Sequence, residues 1–185
     1  PGTKINVEYK PEADCLKDLL TDSVRMVIVT RRASVDEKEV VADSLKVQAR
    51  SMVVARDGVA VVLPPGSPDT LLTMNDIRAI LTGKFKKNLI PVFDGVKATS
   101  TVRFIIDSIL KGDLLTPAAM AARSSEEVID YVSENSGVVG FIGVSWIGNR
   151  EDSSYLSFSK KVSVAYLQAT DIPDSYVKAY QANIY

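Results

Sequence analysis

Strand-like and helix-like hydrophobic patterns alternate along most of this chain, and that alternation restricts it to α/β architectures with mainly parallel sheets. Lys4–Tyr9 alternates apolar and polar residues as a half-buried strand does, and Glu12–Leu20 follows with the spacing of a short amphipathic helix. Val24–Thr30 is a nearly continuous apolar run, the pattern of a strand covered on both faces. Ser34-Val-Asp-Glu37 is a capping box that opens a helix to about Leu45. Thr73-Met-Asn-Asp76 starts another helix with a looser form of the signal, expected to stop near Gly83. Between them Val47–Leu63 is too long for one ordinary strand and is interrupted at Asp57-Gly58, so it reads as two extended segments that cross between lobes. After the rigid turn Pro64–Pro68, the helix from Thr73, a strand near Leu89–Phe93 and a helix over Thr101–Leu110 make a second α/β unit. Ser124-Ser-Glu-Glu127 caps a helix to about Asn135, Gly137–Val144 returns as a glycine-punctuated strand, and Lys161–Gln168 is a late strand.

Composition mainly excludes. At 185 residues and 46% hydrophobic content the chain can bury one substantial core or two small ones. With 22 basic and 23 acidic residues, no global field draws it to nucleic acid or an anionic membrane. There is no histidine, which removes Ser-His-Asp and Cys-His catalysis and most zinc sites. Cys15, the single cysteine, cannot form an internal disulfide and lies in a helical pattern, as a buried structural thiol would. No run of about 18 apolar residues is present to span a membrane. The chain opens on Pro1 rather than methionine, as a processed or trimmed product does, and its lack of a visible signal peptide fixes no compartment.

The segment Ile90–Phe104 carries the strongest chemical signal. An apolar strand breaks at Asp94-Gly95 and restarts as a helix behind Thr99, Ser100 and Thr101. The first N–H groups of a helix lack intrahelical partners and carry partial positive charge, so three hydroxyls there make an anion seat. The alternative is an N-cap that satisfies only its own helix. Thr30-Arg31-Arg32 puts two fixed positive charges directly after a buried-strand pattern, suited to carboxylate or phosphate recognition or, alternatively, to a solvated turn. Arg103 either points at the same anion or covers a helix face. Asp57-Gly58 reads as a bend rather than a catalytic acid, and Trp146 as a residue that packs at a lobe junction or, alternatively, closes over a ligand. No G-x-x-x-x-G-K-[ST] loop or G-x-G-x-x-G fingerprint is present, which disfavours nucleotide hydrolysis, and a Ser-Lys hydrolase is disfavoured because the sequence places no lysine beside a particular hydroxyl. No metal or other cofactor is expected.

Taken in order, these motifs resemble the phosphate-binding substrate-binding proteins of ABC transporters, in the type II periplasmic binding protein class. Ala55–Leu63 resembles that family's crossover strand, and Leu72-Thr-Met-Asn-Asp-Ile-Arg-Ala-Ile-Leu-Thr-Gly-Lys84 resembles its helix ending in Gly-Lys. Ala98-Thr99-Ser100-Thr101 stands where the family has Gly-Ser-Gly-Thr, and Gly137–Gly143 is similar to its glycine-rich strand. The resemblance implies a two-lobed α/β fold with mixed, mainly parallel sheets, the first lobe (1–60, completed by 145–185) incomplete and the second formed by 61–144. It implies a non-enzymatic protein that captures phosphate or a similar oxyanion for an ABC transporter permease. Its location would be periplasmic, or membrane-anchored through an N-terminal lipid outside this chain. Thr99 and Thr101 then match ligand-binding hydroxyls, Ser100 matches a glycine whose amide binds, and Thr30 or Arg31 matches a first-lobe ligand residue. The chain departs from the family at Asp94-Gly95, which take the place of an arginine, and at Thr30 or Arg31, which replace an aspartate that accepts a proton from phosphate. The resemblance implies a fragment that begins after the family's first strand and helix and stops at Tyr185 before its final segments. The same fold also serves ligand-sensing effector domains and ligand-free partner-binding domains.

Overall fold

The computed structural model describes residues 4–95, 99–148, 158, 160–170 and 172–179. The chain forms two compact units, Pro1–Val54 and Ala55–Tyr185.

The first unit contains α1 (Glu12–Leu20) and α2 (Val35–Leu45). Leu16 of α1 and Val41 of α2 are its buried apolar side chains among the described residues. The capping box at α2 is complete: Ser34 Oγ accepts from Glu37 N–H at 3.1 Å and Glu37 Oε2 accepts from Ser34 N–H at 2.8 Å. The strands expected at Lys4–Tyr9 and Val24–Thr30 are not formed. An alternating or apolar run specifies a face, whereas a strand also needs a neighbour for its N–H and C=O groups, and no described segment of this unit pairs with either run. Met26 and Ile28, in the run expected to be covered on both faces, are 67% and 75% exposed. The extended reading of Val47–Leu63 holds as a strand only for β1 (Val59–Leu63). Cys15 is half-buried rather than buried and its thiol donates to Lys10 O at 3.5 Å.

The second unit is a layered α/β structure. Besides β1 it contains β2 (Leu71–Leu72), α3 (Met74–Leu81), β3 (Ile90–Phe93), α4 (Ser100–Phe104), β4 (Met120–Ala121), α5 (Ser125–Glu134), β5 (Val138–Gly143), α6 (Ser145–Gly148), β6 (Ser163–Val164), β7 (Tyr166–Gln168) and β8 (Tyr176–Lys178). A five-stranded sheet runs in the order β4-β3-β5-β1-β6. Within it β4, β3 and β5 are parallel, and β1 is antiparallel to both β5 and β6. In a three-stranded sheet β2 pairs parallel with β7, and β8 is antiparallel to β7. The late strand expected over Lys161–Gln168 is therefore two short ones, because the chain steps at Ala165 from the side of β1 to the side of β2.

Both faces of the larger sheet are covered, which is why its central strands read as continuous apolar runs. On one face Ala60, Val62, Val92, Val138 and Ile142 pack under Val128, Ile129 and Val132 of α5. On the other, Val61, Leu63, Phe93, Val139 and Phe141 pack under Ile77, Ile80 and Leu81 of α3 and Val102 of α4. The caps read from the sequence are in place: Thr73 and Asp76 form both bonds of their box, Ser124 Oγ accepts from Glu127 N–H at 3.2 Å, and Gly83 follows α3 with φ +73°.

The helix expected over Thr101–Leu110 changes character part-way. After α4 the chain continues as a π-helix over Ile105–Leu110. An α-helix would bring Ser108 under Ile105, whereas the wider turn leaves Ser108 exposed and buries Leu110 instead.

Candidate functional site

At the carboxyl end of β3 the chain leaves the sheet through Asp94 and Gly95, the latter with φ +120°. Ala98 lies outside the described residues. Thr99 then caps α4 in an extended conformation, its Oγ1 accepting from Val102 N–H at 3.4 Å. A hydroxyl that accepts one bond keeps its own hydrogen to give, so this capping role leaves Thr99 able to donate outward. Ser100 is exposed, Thr101 is 6% exposed, and Arg103 lies one turn on, its backbone N–H closing the first intrahelical bond to Thr99 O at 3.1 Å. The N–H groups of Ser100 and Thr101 precede that bond and have no intrahelical acceptor. Thr99 therefore adopts the cap geometry, and the same turn presents hydroxyls and amides of one polarity.

In the sequence Asp94 belongs to a break in the strand pattern and, with Gly95, stands where the resembled family has an arginine. In the structure its Oδ2 accepts from Ser125 Oγ, at the start of α5, at 2.9 Å. Ser125 is 4% exposed. The other oxygen, Oδ1, is buried with no hydrogen-bond partner. Thr99 is packed close by, since a Cβ placed on Gly95 would lie 3.2 Å from Thr99 Cγ2. Sequence spacing could not join Asp94 to Ser125, which is 31 residues away, although Ser125 was visible within a capping box.

Thr30 and Arg31 belong to the first unit, and the structure engages both with carboxylates. Thr30 donates through N–H at 3.0 Å and Oγ1 at 2.6 Å to Glu12 Oε2. Arg31 pairs with Glu12 Oε1 at 3.2 Å and makes a two-pronged contact with Glu37, Nη1 to Oε2 at 2.8 Å and Nη2 to Oε1 at 2.7 Å. The guanidinium fork therefore meets carboxylates of its own unit. The hydrogen bonds from Arg31, followed by that from Ser34 N–H, hold the Glu37 carboxyl down at about 2. Nothing in the sequence pattern marked Glu12 or Glu37 as the partners, because Glu37 was already accounted for by its capping box.

This cluster sets a pH dependence. A carboxylate whose folded-state pKa lies below its unfolded value adds stability above the unfolded value and loses it as pH falls through the folded one. Starting from the ordinary 4.5, Glu37 loses its contribution between about pH 4.5 and about pH 2. Urea unfolding of the first unit at pH 6 and pH 3 should show the acid loss, and Glu37→Gln should flatten it. An equal loss in the variant would remove Glu37 as its source.

Elsewhere in the second unit, Asp57 Oδ1 accepts from Gly58 N–H at 2.8 Å, and the expected bend at Asp57-Gly58 is not formed: Gly58 leads directly into β1. Trp146, 39% exposed, is tilted against Phe158 with ring centroids 6.1 Å apart. Among the described residues no group of three or more His, Cys, Asp or Glu side chains is placed to hold a metal ion. No helix among them is long and apolar enough to cross a membrane.

The family profile described as a PBP superfamily domain matches residues 1–185. No curated protein matches the chain. Among solved structures, the chain is similar to an ABC-type phosphate transport receptor from Vibrio cholerae, with a TM-score of 0.60 and 19% identity over 86% of this chain and 63% of that one. It is similar also to PstS from Borrelia burgdorferi, with a TM-score of 0.57 and 17% identity over 86% of this chain and 64% of that one. The chain thus spans less than two thirds of the length of either.

Proposed function

We propose, from the premise that this chain belongs to the PBP superfamily domain family, that it is a non-enzymatic solute-binding protein that captures phosphate or a similar oxyanion for an ABC transporter. The observation that carries this reading is the turn Thr99–Thr101, where two threonine hydroxyls and the unbonded amides of Ser100 and Thr101 gather beyond a parallel-sheet strand. Hydroxyls and amides that donate without titrating suit a charged oxyanion that must be taken up and released. The similar structure from Vibrio cholerae is a phosphate transport receptor by its own description, which fits the reading. Thr99, Ser100 and Thr101 are the proposed ligand contacts of the second unit, with Arg103 behind them. Thr30 and Arg31 are proposed as contacts from the first unit, in which case the ligand must compete with Glu12 and Glu37 for them. The proposed partner is a membrane permease, and the proposed location is periplasmic, either free or held by an N-terminal lipid.

Isothermal titration of phosphate into the protein tests this. Hydrogen bonds to a charged group are worth ~1.5–3 kcal/mol each. The Thr99→Ala/Thr101→Ala double variant should therefore bind phosphate at least about tenfold more weakly. Thr101→Ser, which keeps the hydroxyl, should bind as the native chain does. Undiminished affinity in the double variant would remove the site.

A further inference from the structure

Resting on that reading, we infer that the oxyanion is one end of a larger ligand, a phosphorylated small amine, whose ammonium group is held by Asp57, Ser145 and Trp146 around the bare position of Gly143. A Cβ placed on Gly143 would lie 3.4 Å from Ser145 Oγ, 3.5 Å from Asp57 Oδ2 and 3.8 Å from Trp146 Cδ1. A hydroxyl, a carboxylate and an indole therefore border one space that the glycine leaves open, and all three side chains are exposed. Two of them are held in orientation. Asp57 Oδ1 accepts from Gly58 N–H at 2.8 Å, and among the described residues Oδ2 has no hydrogen-bond or ion-pair partner. Trp146 leans on Phe158, with ring centroids 6.1 Å apart.

The fold turns this space toward the proposed oxyanion contacts. Side chains alternate along a strand, so Gly143 shares a face of the sheet with Phe141, two residues before it. Phe141 packs on the face covered by Val102 of α4, the helix whose start carries Thr99, Ser100 and Thr101. Phe141 also stands opposite Phe93 in the parallel pairing of β5 with β3, so both strands leave the sheet at one edge, ~5 Å apart. The chemistry at the two places is opposite. Hydroxyls and amides at Thr99–Thr101 give hydrogens to a negative group, whereas Asp57 and Ser145 have lone pairs to receive hydrogens, and Asp57 adds a negative charge. An ammonium gives hydrogens, gains a charge-assisted bond from the carboxylate and can lay its carbon stem against the indole. A ligand anionic at one end and cationic at the other meets both sets of groups; inorganic phosphate meets only the first.

Three probes decide it by isothermal titration: O-phosphoethanolamine, ethyl phosphate, which is the same ester without the amine, and inorganic phosphate. The native chain should bind phosphoethanolamine at least about tenfold more tightly than ethyl phosphate, the effect of one hydrogen bond to a charged group. In Asp57→Asn, which keeps the shape and removes the charge, that preference should shrink at least about tenfold. Gly143→Ala should do the same by filling the space, and its methyl meets Ser145, Asp57 and Trp146 at ordinary contact distances, so this variant should fold as the native chain does. Thermal unfolding checks that both variants are folded. Equal native affinities for the two esters overturn the inference, and so does a preference that survives in either folded variant. A native chain that binds inorganic phosphate but neither ester also overturns it and leaves the oxyanion reading standing. Binding of none of the three overturns the oxyanion reading itself.

Discussion

Phe141→Ala should lower the stability of the protein by about 3–5 kcal/mol. Phe141 is 1% exposed and sits in β5, the central strand of the five-stranded sheet. Its ring stacks on that of Phe93 in the parallel neighbour β3, with centroids 5.2 Å apart and the planes 21° from parallel. Truncation removes the transfer free energy of a large apolar side chain and the aromatic pairing, which adds ~0.5–1.5 kcal/mol beyond area burial. It also opens a cavity between a sheet and a helical layer that cannot simply collapse, because α3 is tied by its own cap and the sheet by its ladders. Against the ~5–15 kcal/mol that a domain has in total, this is a large fraction. Urea unfolding followed by far-UV circular dichroism checks it, and a loss below about 1 kcal/mol would mean that the ring is not enclosed as described.

Gly140→Ala, in the same strand, should destabilise by about 1–3 kcal/mol. Its sign is the informative part. Replacing glycine by alanine at a position whose backbone permits it ordinarily stabilises by ~0.4–1 kcal/mol, since the unfolded chain loses freedom. At Gly140 an added Cβ would fall 2.7 Å from Val62 Cγ2, 2.8 Å from Val128 Cγ1 and 3.0 Å from Val132 Cγ2. Those atoms belong to the neighbouring strand β1 and to α5, so the absent side chain is what lets α5 lie close on the sheet. A shift of the urea midpoint to higher concentration in this variant would show that α5 can lift away without cost.

What could be read beforehand follows the range of the interactions involved. The caps at Ser34, Thr73 and Ser124 were legible because both partners of each lie within one turn. The strands β1, β3 and β5 were legible because two covered faces impose a continuous apolar run. Met26 and Ile28 misled for the converse reason: an apolar run is necessary for a buried strand, and its neighbour is supplied from elsewhere in a fold. The two-residue strands β2 and β4 are too short to carry a periodicity at all. At the candidate site, Thr99 as a cap and the hydroxyl cluster were visible in sequence, while the Arg31–Glu12–Glu37 cluster and the Asp94–Ser125 contact join positions with no fixed spacing. Charge on Arg31 could be counted, but whether it was already balanced could not.

The π-helical stretch Ile105–Leu110 has a bearing on how such a protein can be retuned. Each residue of an α-helix turns the chain by about 100°, so one residue more or fewer between Ile105 and Leu110 re-phases everything ahead of it against everything behind. The rear of this helix is clamped in the core by Leu110, and its front carries Thr99, Ser100 and Thr101. The wide turn lets those two requirements be met independently, and in engineering terms it is a rotary adjustment: shortening the stretch by a single residue swings the hydroxyls to a new bearing while the anchor keeps its place.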